Sequence, residues 1–159
     1  MEENNFAPIT IALITNGYLF NYATKFRFEN SEISNPKSFK INNSQFEDFK
    51  VWLKDSDFSY STILESSISD LEQIAKEERY FTRIESQITN LHNEIMQNKL
   101  NDLNTFKEEI SIYLKQEIIG RYYLEEGKIE SLLTSDLEVI KSIEVLENQS
   151  LMKKILSRN

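Results

Sequence analysis

At 159 residues, 40% of them hydrophobic, the chain can build one domain with a real core and is short for two. Three glycines and two prolines, beside abundant Glu, Lys, Leu and Ile, disfavour strand-and-turn architectures and point to long helices. A formal charge of −8, with Lys and Arg interleaved among the acids, leaves no face suited to phosphates, and the lack of cysteine removes disulfides, thiolate metal sites and thiol nucleophiles.

Residues 6–20, FAPITIALITNGYLF, follow the acidic leader MEENN, so they lack the basic start of a signal peptide, and they are too short to cross a bilayer. They read as part of a core helix of a soluble chain. The helical period runs from Pro8 to about Glu29 on two sides: Ile9, Ala12, Leu13, Leu19, Phe20, Ala23 and Phe26 form one stripe, Ile11, Ile14, Tyr18 and Tyr22 a second. A helix apolar on two sides wants two neighbours. That is the first sign of a piece not made to stand alone.

The stretch NSEISNPKSFKIN at 30–42 reads as a loop, with room for one short extended segment over 38–42 around Phe39 and Ile41. Asn43 or Ser44 then caps a helix, QFEDFKVWLKD, whose Phe46, Phe49, Val51 and Trp52/Leu53 form a compact apolar face. Ser61 or Thr62, with Glu65 in capping-box position, opens the next helix, with its seam at Leu64, Ile68, Leu71 and Ala75. KEERY at 76–80 continues or bends it, and Ile84, Ile88, Leu91 and Ile95 repeat the rhythm. The polar patch QNKLND is expected to join two antiparallel partners near 97–102. Leu103, Phe106, Ile110, Tyr113/Leu114 and Glu117/Ile118 carry the pattern onward to Gly127, expected as a helix C-cap. Ser135 or Asp136 caps a last helix holding Leu137, Ile140, Ile143, Val145 and Leu146, and SLMKKIL closes the chain.

Little in this sequence suggests chemistry. Gly17, Gly120 and Gly127 are too dispersed to cradle phosphate, and His92, the sole histidine and expected at the surface, cannot make a zinc set alone. No serine sits in a G-x-S-x-G turn. The pairs Glu77-Glu78, Glu108-Glu109 and Glu125-Glu126 are adjacent, so they point about 100° apart around a helix. No catalytic, cofactor-binding or metal-binding residue is therefore assigned, and no cofactor is expected. Gly120 in mid-helix costs about 1 kcal/mol relative to alanine, which a closely approaching backbone or large ring is expected to offset. Arg121 is expected to pair with Glu117 or Glu125, or to reach a helix C-terminus.

EIIGRYYLEEG, preceded by LNTFKEEISIYL and followed by SDLEVIKSIEVLEN, resembles the C-terminal helical region of carboxyl-terminal processing (tail-specific) serine peptidases of the Bacteroidetes type. ITIALITNGYLFNYATKF and the F-x-x-F helix at Gln45–Phe49 are similar to that region as well, so the likeness runs over nearly all of the chain. It implies an upstream catalytic domain with a serine nucleophile and a lysine general base, and a PDZ domain that recognises substrate tails, neither of which maps onto a position here.

The expectation is an all-α antiparallel bundle of about five helices, one domain over 1–159, the non-catalytic C-terminal part of such a peptidase. Residues 1–29 would contact the missing catalytic domain. The implied partners are the upstream protease and PDZ domains and protein substrates, with pairing of two copies through an orphaned apolar side, and no nucleic acid. The implied location of the parent is periplasmic or membrane-associated. The alternative is a free-standing helical adaptor or coiled-coil interaction protein.

Overall fold

A computed structural model of the protein describes residues 6–133, 137–148 and 150. They form seven helices and no strand: α1 (Pro8–Thr15), α2 (Tyr18–Glu29), α3 (Asn43–Lys54), α4 (Ile63–Glu77), α5 (Phe81–Thr105), α6 (Lys107–Leu133) and α7 (Leu137–Glu147). The fold is all-α, as expected. Its described residues fall into two compact units, one from Met1–Tyr22 and Ile41–Leu114, the other from Ala23–Lys40 and Lys115–Asn159.

In the first unit α1 begins at Pro8, whose fixed φ suits the first helical position, and the Ala7 N–H is satisfied from outside the helix by Glu109 Oε1 at 3.0 Å. The single helix expected over 8–29 is split. Gly17 stands at φ 73°, with no atom within 4 Å of where a Cβ would stand, so its role is conformational. The break shifts the phase of the apolar stripes. Ile9, Leu13, Leu19 and Tyr22 are buried, but Phe20 of the first stripe and Ile11 and Ile14 of the second are exposed.

The cap of α3 is Asn42, one residue earlier than expected. Its side chain accepts from the Gln45 N–H while the Gln45 side chain accepts from the Asn42 N–H, each at 2.9 Å. Phe46, Phe49 and Leu53 are fully buried, whereas Val51 faces solvent. Tyr22 packs edge-on against Phe49 at 5.1 Å, Tyr18 against Phe58 at 4.9 Å, and Phe49 stacks on Trp52 at 6.3 Å, a continuous aromatic core.

Thr62 caps α4, in the expected box with Glu65. The antiparallel joint, however, lies at 78–80 and not at 97–102. Arg79 takes φ 64°, the Tyr80 N–H bonds the Ala75 carbonyl at 2.8 Å and the Arg79 N–H bonds that of Lys76 at 3.2 Å, a Schellman turn with arginine in the usual glycine position. QNKLND holds neither proline nor glycine, and α5 runs through it. Ile68, Ile88 and Ile95, with Phe81 and Ile84, fill the α4–α5 seam, while Leu64, Leu71 and Leu91 of the expected seams remain exposed.

The segment over 38–42 forms no β-ladder; in the second unit Phe39 is instead buried against Phe26, ring centroids 6.5 Å apart. α6 is interrupted at Leu124, with φ 56° and ψ −155°. Gly127 is therefore not a C-cap: the helix continues past it to Leu133, and a Cβ there would meet Tyr123 Cβ and, at 3.1 Å, Ile119 Cγ2. Its smallness is what the packing uses. In α7 Ile143 and Leu146 are exposed. The expected caps Ser135 and Asp136, and all of SLMKKIL except Ser150, lie outside the described residues.

Candidate functional site

The first unit carries an open groove of about 680 Å³. Its floor is apolar because Ile9 and Leu53 are buried there, held by α1 and α3; Phe58, on the turn after α3, and Leu103, on α5, line it further. Val51 on α3 and Met96 and Leu100 on α5 stand as its rims, 64%, 52% and 77% exposed. Lys50, Lys54 and Lys99 also line it, with Glu47 as the single acid.

Two of its lining residues, Tyr60 and Lys99, belong to a polar network that joins the start of α4 to the end of α5. Lys99 Nζ donates to both Glu65 carboxylate oxygens, at 2.7 and 2.8 Å, and to the Tyr60 carbonyl at 2.7 Å, so all three of its protons are used. Those bonds from Lys99, aided by the Thr62 N–H, hold the Glu65 carboxyl below its ordinary range. The Tyr60 hydroxyl donates to Asp102 Oδ2; burial first, and then this bond, raise the phenol above its ordinary value. At the other wall Lys50 pairs with Glu47 at 2.9 Å and donates to Asn104 Oδ1 at 2.8 Å. Among the described residues Lys54 makes no ion pair.

These groups can grip and position, and none of them was singled out by the sequence except Glu65, whose capping role is local. His92, expected at the surface, is half-buried on α5 and is not among the groove-lining residues. Among the described residues no group of three or more His, Asp or Glu side chains could hold a metal ion.

The RYY run serves the second unit. Tyr122 donates to the Asn30 carbonyl at 2.6 Å and Tyr123 to that of Ile33 at 3.2 Å, fastening the 30–33 segment to α6. Arg27 lies over the Tyr122 ring, 4.5 Å from its centre. The atoms nearest to where a Gly120 Cβ would stand belong to the aliphatic stem of Lys128 and not to a ring, and that side chain ends on Glu117, 3.4 Å away. Glu117, one partner expected for Arg121, is thus engaged by Lys128, and Arg121 is half-buried.

The described residues are all-helical where they form regular elements, and their first unit carries an open apolar groove lined in part by lysines. Residues 9–146 match the family model described as probable PDZ-protease, C-terminal helical domain, and the chain belongs to that family. No curated protein and no solved structure matches it. Among the described residues no helix is long and apolar enough to cross a membrane.

Proposed function

We propose that this chain is the non-catalytic C-terminal domain of a carboxyl-terminal processing serine peptidase of the Bacteroidetes type, in which an upstream domain with a serine nucleophile and a lysine base cuts the substrate. Its work is to support that catalytic domain, to help dock protein substrates, and to assist assembly, including pairing of two copies. A periplasmic or membrane-associated parent accords with this reading.

The observation that carries it, beside the family membership, is the exposure of Ile11, Ile14 and Phe20 on the first two helices. Ile11 and Ile14 are one helical turn apart on the same face, and apolar side chains left open together mark surface that another body covers. Residues 1–29 are accordingly the segment we assign to contact with the protease body.

The test is an assay of the purified chain against unfolded protein and peptide substrates, beside the parent protease with and without residues 1–159. The chain alone should cleave nothing, and the truncated protease should lose activity or thermal stability. Cleavage by the chain alone, or a truncated protease indistinguishable from the intact one, would overturn the assignment.

A further inference from the structure

Burial is uneven along the first unit. Its fully buried side chains, among them Leu13, Leu19, Phe46, Phe49, Leu53 and Ile110, come from α1, the start of α2, α3 and the start of α6. Between Lys54 and Glu109 no side chain reaches that depth. There α4 and α5 bury Ile68, Ala75, Ile88 and Ile95, at 4% to 9% exposure, and the three isoleucines form a cluster of their own with Phe81 and Ile84. The α4–α5 hairpin thus has a core apart from that of the body around it. It is also closed at both ends. The Schellman turn at 78–80 joins its helices at one, and at the other Lys99 ties Tyr60 and Glu65 to α5 while the Tyr60 hydroxyl donates to Asp102. Every group of that network lies between residues 60 and 102, so it stiffens the hairpin without fastening it to the body.

Two joints connect hairpin and body, and neither is helical. Residues 55–62 lead in, with Asp57 at φ 50°, and Phe106, at φ −103° and ψ 21°, breaks the path from α5 to α6. Two bridging contacts sit at those joints: the Phe58 ring lies 4.9 Å from that of Tyr18, and Lys50 donates to Asn104 Oδ1 at 2.8 Å. Elsewhere the boundary holds the groove, lined by Ile9, Val51 and Leu53 from the body and by Met96, Leu100 and Leu103 from α5. A boundary left open in this way lacks the dispersion contacts that lock packed helices together.

We propose that residues 60–104 form a rigid arm that swings against the body about residues 55–59 and Phe106, widening and narrowing the groove between them. Pieces with their own cores, joined by short non-helical segments and parted by a cleft, are the arrangement in which hinge motion occurs. The hinge belongs to the first unit alone and does not depend on the peptidase assignment.

The chain has no cysteine, so pairs of spin labels can be placed by single substitutions. Asp70→Cys with Gln87→Cys puts both labels on the arm, and Asp48→Cys with Gln87→Cys puts one on the body; all three positions are exposed. Distances are read on the 159-residue chain by pulsed electron–electron double resonance, with circular dichroism to check that each variant keeps its helices. The distribution within the arm should be narrow, and that between arm and body about twofold broader or more. Lys50→Met, which removes the bond to Asn104, should broaden the arm-to-body distribution further and leave the one within the arm unchanged. An arm-to-body distribution as narrow as the one within the arm would overturn the proposal, because arm and body would then be one piece. So would a distribution within the arm as broad as the other, or equal broadening of both by Lys50→Met, because the hairpin would then not be rigid.

Discussion

The Tyr122 hydroxyl reaches across 92 residues of sequence to the Asn30 carbonyl and holds it at 2.6 Å, with the Arg27 guanidinium over the same ring. One side chain thereby closes the turn after α2 onto α6 and satisfies a carbonyl that no helix can satisfy. Tyr122→Phe removes only the hydroxyl, and should cost about 1 kcal/mol in urea-induced unfolding. Tyr123→Phe removes a longer bond from a more exposed ring and should cost less.

Leu124 adopts φ 56° and ψ −155°, a region that is essentially glycine's, while its side chain is 74% exposed. Little packing offsets the backbone strain. Leu124→Gly should raise stability by about 1 kcal/mol at unchanged m-value, and Leu124→Val should lower it, because a β-branched residue is still less suited to that conformation. If both substitutions act alike, the turn at 124 is not where the strain resides.

Thr10 is fully buried in α1, and its hydroxyl makes no hydrogen bond among the described residues. Thr10→Val keeps the shape and removes a desolvated polar atom, so stability should rise by about 1 kcal/mol. A loss on this substitution would mean that the hydroxyl has a partner.

The network beside the groove makes a pH prediction with a definite sign. Lys99 holds the Glu65 carboxyl below its ordinary value, so the ionised form is favoured in the fold. The associated stability is present above the ordinary carboxylate range and is lost as pH falls through the lowered folded value. Glu65→Gln should therefore be less stable near neutral pH, with part of the gap to the parent closing in acid. Tyr60 acts at the other end: its raised value favours the neutral phenol, so its contribution is full below the ordinary phenol range and fades as pH rises above it. A Glu65→Gln gap independent of pH would show that the carboxyl is not the group concerned.

What could be read beforehand was local or periodic. The box between Thr62 and Glu65 spans four residues, and the seam of Ile68, Ile88 and Ile95 follows from helical spacing. The breaks along the helices were less legible. Arg79 and Leu124 hold positive φ without being glycine, so no residue type marks them. Gly127, conversely, looks like a cap because glycine serves both for left-handed turns and for close approach, and only Tyr123 and Ile119 beside it decide between them. The network beside the groove depends on Lys99 meeting Glu65 across 34 residues, through a stretch whose polarity reads as a joint.

The central claim, that this domain serves a protease body through its exposed N-terminal helices, is tested most directly by complementation in trans. The 159-residue chain is added to the parent protease lacking it, and peptide cleavage is followed alongside the protease's melting temperature. The parent chain should restore cleavage or raise the melting temperature, and an Ile11→Asp/Ile14→Asp double variant, folded by circular dichroism, should do neither. Full activity of the truncated protease without the chain, or equal rescue by the double variant, would contradict it.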